Sequence, residues 1–227
     1  MRAISLIAAV TLMNLVSPSA AQAPSVPQPN SVFLEELTWM EVRDAIAAGK
    51  TTVIIPTGGT EQNGPHMALG KHNYLVKYKA GEIAMSLGNA LVAPVMAYVP
   101  EGDINPPTGH MRFAGTITLP QDVFCKVLEY AARSFKQHGF LDIALVGDSG
   151  GNQAGQKIVA DALNQEWAAT KVRVHHITAY YPGRGDDWVM AQGVSAEDVG
   201  THAGAHDTSS LMYLNPSTSQ AARWSSL

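Results

Sequence analysis

Four short apolar runs, each bounded by polar turns and separated by segments of helical length, restrict what this chain can fold into. Thr52-Val53-Ile54-Ile55-Pro56 is β-branched and opens into a glycine-rich loop. Ala90-Leu91-Val92-Ala93-Pro94-Val95, Asp142-Ile143-Ala144-Leu145-Val146-Gly147 and the partly alternating Val172-Arg173-Val174-His175-His176-Ile177 follow. Near-continuous apolar runs of this length read as strands buried on both faces. The first predicted helix starts at Thr38, an N-cap with Glu41 three residues on, runs to about Ala48 and stops at Gly49. Others are predicted from about Tyr74 to Leu87, from Gln121 to His138, and from Gln156 to about Ala169. Strands alternating with helices predict right-handed βαβ units, hence an α/β fold with a mostly parallel sheet between helical layers. Ligands in such folds lie beyond the C-terminal ends of the strands. The loops after Ile55, Val95 and Val146 are therefore expected to meet in one cleft, bordered by the Gly/Pro-rich segment Pro100 to Arg112.

The 227 residues suit one ordinary domain. With 46% hydrophobic and 15% charged residues, a core can form. The net charge of −4 and the lack of a basic stripe exclude a nucleic-acid binder, which needs phosphate-neutralising charge. Met1 to Ala23 reads as a secretory leader: a weakly basic start, an apolar Ile4–Val16 core and the small-x-small site Ala21-Gln22-Ala23. That core is shorter than the ~20 residues a bilayer requires, so no membrane association is expected after cleavage. Residues 24–31 read as a linker, 32–227 as the α/β domain, and the mature protein is expected outside the cytoplasm, periplasmic or extracellular. Cys125 is the only cysteine, which excludes an internal disulfide, and its apolar neighbours predict a structural thiol.

Three loops carry chemistry-bearing residues. Thr57 to Asn73 holds Glu61, His66 and His72, all metal-ligand types, although two solvated histidines would fit the same spacing. Gly147-Asp148-Ser149-Gly150-Gly151-Asn152 offers a carboxylate and a hydroxyl where glycine permits close approach of a ligand. Its likeness to a serine-protease nucleophile segment fails on the βαβ context. Gly200 to Ser209 holds His202, His206 and Asp207, suited to acid/base work or ligation, with Asp207 equally able to cap a helix near Thr208.

These segments together resemble the creatininase (creatinine amidohydrolase) family. Thr60-Glu61-Gln62-Asn63-Gly64-Pro65-His66 matches its E-Q-H-G-P-H loop, and Phe113-Ala114-Gly115-Thr116 matches F-P-G-T. The GDSGGN loop stands where the family has N-G-H-G-G-N, and His202 to Ser209 matches H-A-G-E-x-E-T-S. The resemblance implies a compact α/β sandwich, frequently hexameric, with a divalent-metal site that activates water to hydrolyse amides. It also implies a proton-transfer role for His202. The departures fall on ligand positions: Asn63 for a His, His72 for the bridging Asp, Ser149 for a His, Gly151 and Ala205 for Glu residues. The chain after Pro216 departs from the family's longer C-terminal region, which implies a shortened end.

The expectation that follows is a one-metal amidohydrolase for a small molecule, with zinc or manganese on Glu61 and His72 and with Asp148 or His66 as third ligand. His202 and Asp207 are the expected catalytic pair, and Asn63, Ser149 and His206 the substrate contacts. The alternative is a catalytically altered small-molecule binding protein, in which Asn63, Ser149 and Asp207 hold a polar ligand.

Overall fold

The computed structural model describes residues 31–181, 185–200 and 202–215. The expected leader, the linker up to residue 30 and the tail beyond 215 lie outside these residues. Helix α1 (Trp39–Ala47) starts at Thr38, whose side chain accepts from Glu41 N while the Glu41 carboxylate accepts from Thr38 N, a reciprocal capping box. Strand β1 (Thr52–Thr57) follows. Helix α2 (Lys71–Leu87) begins at Lys71 rather than near Tyr74, which places His72 in its first turn. It ends at Gly88, whose φ of 75° is the left-handed conformation glycine adopts without a Cβ penalty.

Strand β2 (Ala90–Val92) is shorter than expected, because Pro94 has no N–H to continue the ladder. Helix α3 (Gln121–His138) and strand β3 (Asp142–Gly147) have the predicted bounds. Helix α4 (Asn152–Glu166) starts ahead of Gln156. Strand β4 (Arg173–His176) and the short helices α5 (Asp186–Ala191), α6 (Ala196–Val199) and α7 (Ala205–Leu214) complete the order. No helix among the described residues is long and apolar enough to cross a membrane.

The sheet runs β2-β1-β3-β4, every pair parallel. From β1 the chain steps outward to β2, then crosses back past β1 to β3 and β4. Right-handed crossovers in opposite directions put α2 on one face and α3 and α4 on the other. The side chains obey the strand period of two. Val53, Ile55, Ile143 and Leu145 pack with Phe124, Leu128 and Leu163 on the α3/α4 side. Ile54, Val92 and Val146 pack with Val76, Ala80 and Ala84 of α2. Full burial of each Phe, Leu, Ile or Val contributes about 1.5–3 kcal/mol, which makes both layers necessary. Cys125 is half-buried against the larger cluster, with its thiol facing Gly155 O at 3.8 Å.

This winding creates a switch point between β1 and β3, where a ligand crevice opens at the C-terminal strand ends. Buried amides of α4 tie it together: Asn152 Nδ2 donates to Thr57 O (3.1 Å) and Gly58 O (2.8 Å), and Gln156 Nε2 donates to Thr57 Oγ1 (2.9 Å).

Candidate active site

At the switch point lies a cavity of about 580 Å³, lined from the loops after all of β1, β2 and β3 and from the segment before α7. Glu61 lies in the β1 loop, with its side chain buried. The loop is held by Glu61 N donating to Leu69 O (3.1 Å) and by Asn63 Nδ2 donating to Glu61 O (3.0 Å). Gly59 lets the loop pass close to Glu101: a Cβ there would stand 2.4 Å from Glu101 Oε1 and push that carboxyl aside.

Three side chains form a buried chain behind this floor. His72 Nε2 lies 2.8 Å from Glu61 Oε1, and His72 Nδ1 lies 2.7 Å from Asp148 Oδ2. Tyr180 OH donates to the other Asp148 oxygen at 2.7 Å, and Lys79 Nζ stands 4.0 Å from it. A carboxylate only accepts, so both ring nitrogens must donate and the bridging imidazole is cationic. Burial disfavours that charge, but the hydrogen bonds to Asp148 and Glu61 outweigh it and hold the His72 pKa above the usual range. Burial likewise works against the Asp148 anion, and His72 holds its pKa below the ordinary value.

Glu101, from the loop after β2, is a second buried carboxyl in the same cavity. Burial, then a hydrogen bond to Glu61 and repulsion from its charge, push its pKa up to about 10. Burial also opposes the Glu61 anion, but hydrogen bonds from His72 and Glu101 overcome it and bring Glu61 down to about 2. Two carboxyls in hydrogen-bond contact share one proton, and the His72 donor on Glu61 favours its residence on Glu101.

On the solvent side, Glu61 faces two histidines. His110 Nε2 lies 3.3 Å from Glu61 Oε2, and His202 Nε2 lies 3.7 Å from Glu61 Oε1. The two rings meet edge to face with centroids 4.9 Å apart. His110 Nδ1 is 3.4 Å from Gln62 Nε2, a contact that orients the ring. Burial holds the His202 pKa below the usual histidine range, with Glu61 opposing, so this ring is neutral at pH 7. One ligand atom from each of Glu61, His110 and His202 lies within 4.8 Å of the others. Tetrahedral zinc with bonds of ~2.0–2.1 Å separates its ligands by about 3.3–3.5 Å. The two Glu61 contacts lie close to that spacing, and a carboxylate with two imidazoles is a borderline donor set suited to zinc. The residues therefore fit a divalent ion.

Of the residues singled out from sequence, Glu61, His72, Ser149 and His202 line the cavity, and Asp148 stands behind His72. His72 offers no free nitrogen to an ion in this arrangement. The remaining four are not among the lining residues. The Asn63 amide supports the Glu61 backbone, and His66 Nε2 is 3.1 Å from Thr208 Oγ1. His206 Nδ1 is 4.0 Å from Asp186 Oδ1. Asp207 sits in the first turn of α7 and pairs with Lys71 Nζ at 2.6 Å, both side chains buried. Helix α7 starts at Ala205, with Gly204 at its cap, so Asp207 is not the cap. His110, Glu101 and Lys71 were not singled out from sequence. The available signal for the first two was their place in the Gly/Pro-rich segment expected at the cleft.

A family model described as creatinine amidohydrolase matches residues 35–226, most of the chain. The chain belongs to the creatininase family. A mycofactocin precursor peptide peptidase of Mycolicibacterium smegmatis is 29% identical over 170 residues, covering 72% of this chain and 58% of the relative. A creatinine amidohydrolase of Pseudomonas putida is 30% identical over 116 residues, covering 51% and 44%. This creatininase-family chain thus spans about half the length of those relatives. A crystal structure of creatinine amidohydrolase (creatininase) shares its fold at TM-score 0.68, with 26% identity, covering 86% of this chain and 76% of the other. A variant creatininase of Zn–Zn type gives a TM-score of 0.64 with 26% identity and coverage of 86% and 77%. A manganese creatininase shares the fold at TM-score 0.65 with 24% identity and coverage of 85% and 76%.

Proposed function

We propose that this member of the creatininase family is a hydrolase that cleaves an amide-like C–N bond of a small molecule, using one divalent ion held by Glu61, His110 and His202. The observation that carries this reading is the convergence of that donor set in one cavity at the sheet's switch point. Zinc or manganese is the ion of choice, in keeping with the donor set and with the Zn–Zn and manganese forms among the structural neighbours. Such an ion supplies Lewis acidity, polarising a carbonyl and acidifying water. The chain's own groups do the rest. Glu101 holds a proton against Glu61 at neutral pH and lines the cavity, so it can pass that proton to a leaving nitrogen. His202, the histidine expected to move the proton, serves here as a ligand. Ser149 and Tyr181 line the same cavity and provide hydroxyls to orient a polar substrate. We further place the protein outside the cytoplasm, on the leader-like Met1–Ala23, and as a homo-oligomer on the family's habit.

The test is ion content and amide hydrolysis on purified protein supplied with zinc or manganese. Substrates should include cyclic amides, linear amides and short peptides, because one relative is a peptide peptidase. Release of amine that stops on chelation and in His110→Ala supports the proposal. Less than a tenth of an equivalent of bound metal with no hydrolysis overturns it and favours the binding-protein alternative.

A further inference from the structure

Glu61 and Asp148 are two carboxylates with nearly fully buried side chains, placed on either side of one imidazole ring. Buried anions this close require a cation or a donor between them. The His72 ring meets that need from both nitrogens, at 2.8 Å and 2.7 Å. The second Asp148 oxygen is taken by Tyr180 OH, with Lys79 nearby, so this carboxylate is fully engaged. An ion touching both carboxylates would have to displace the ring. Glu61 Oε2 faces His110, while Oε1, which takes the His72 bond, is the oxygen nearest His202. Nearby Lys71 is fully buried and committed to Asp207, so it does not compete for Glu61.

We propose that His72 takes the place of a second cation between Glu61 and Asp148 and acts as the positioning residue for Glu61, limiting the site to one divalent ion per chain. Asp148 aims the ring, the ring fixes Glu61 through Oε1, and Glu61 thereby presents its carboxylate toward His110 and His202. Outer partners of this kind typically contribute 10–100-fold to metal affinity. The inference rests on the ion-holding role assigned to Glu61, His110 and His202.

The experiment is zinc binding by equilibrium dialysis of the full chain at pH 7.5, counting equivalents and measuring Kd. The parent is expected to bind one equivalent. Asp148→Asn, which keeps the volume and a hydrogen-bonding side chain, and His72→Ala are expected to bind one equivalent with Kd raised about 10–100-fold. His72→Asp removes the ring, adds a third carboxylate and is expected to bind two. Melting curves of the chelated variants establish which are folded, and Asp148→Asn carries the test if the His72 variants are not. Two equivalents in the parent overturn this inference alone, as does an unchanged Kd in the folded Asp148→Asn protein. Zero equivalents in the parent overturn the ion-holding role, and this inference with it.

Discussion

Glu101 and Glu61 show how one pair of carboxyls is driven apart by its surroundings. Glu61 has His72 and His110 to balance its charge and stays ionised down to about pH 2. Glu101 keeps its proton up to about pH 10 because burial and the Glu61 anion both penalise its charge. The signs of their stability contributions are therefore opposite. Unfolded, each releases its proton near the ordinary value of 4.5. Glu61 contributes stability that is present above 4.5 and lost as the pH falls toward 2. Glu101 binds more proton folded than unfolded, so its contribution is full below 4.5 and declines as the pH rises toward 10. Glu101→Gln keeps a donor to Glu61 and removes the titration. Both chelated proteins are expected to lose stability as the raised His72 pKa is approached from below, but the parent falls more steeply between pH 5 and 9 and is the less stable of the two at pH 8. Urea unfolding at several pH values measures this, and parallel profiles would show that Glu101 does not hold the proton. At the same scale, His110→Ala removes one of the three proposed ligands. Zinc affinity is expected to fall by more than the ~10–100-fold lost with an outer partner, read in a direct titration, with the chelated protein melting as the parent does.

Among the elements, α7 is joined to α2 by a buried charge pair. Its pairing with α2 includes the buried Lys71–Asp207 ion pair, 2.6 Å long. Removing one partner leaves a buried charge uncompensated, which typically costs about 3–5 kcal/mol. Asp207→Ala should show that loss in denaturant unfolding. The double change Lys71→Met with Asp207→Leu should recover most of it, because two well-packed apolar groups replace the pair. The segment carrying His202 leads directly into α7. At the other end of the chain, the α1 capping box is local. Thr38→Ala is expected to cost about 1 kcal/mol and leave the site untouched.

For the whole molecule, the consequence is linkage between ion and fold. Glu61, His110 and His202 come from the loop after β1, the loop after β2 and the segment before α7. Unfolding disperses them, so an ion bound only by the folded chain stabilises it. At 100 times Kd the expected gain is about 2.7 kcal/mol. A melting series with increasing zinc should therefore climb in the parent and stay flat in Glu61→Gln. A flat parent series would show that the three ligands do not act together.

The order of strands and helices was legible in the chain because burial on both faces leaves a local mark. Val53, Ile54 and Ile55 must all be apolar when helices cover both sides of β1, and Thr38 with Glu41 announces α1 within one turn. The position of the cleft followed from the same order, since parallel strands put the loops after β1, β2 and β3 at one end. Glu61 and His202 were legible by their motifs. The contacts that define the site were not, because spacing along a chain carries no distance through space. His66 shares a loop with Glu61 and His206 follows His202 by four residues, yet the fold sets them against Thr208 and Asp186. His110 and Glu101, from a loop with no motif of its own, face Glu61 instead. His72 looked like a ligand because its residue type permits it, and only tertiary packing put a carboxylate against each of its nitrogens. A side chain's type limits what it can bind. Its partners are decided when β1, α2 and β3 are packed together and every buried charge must be answered by a neighbour.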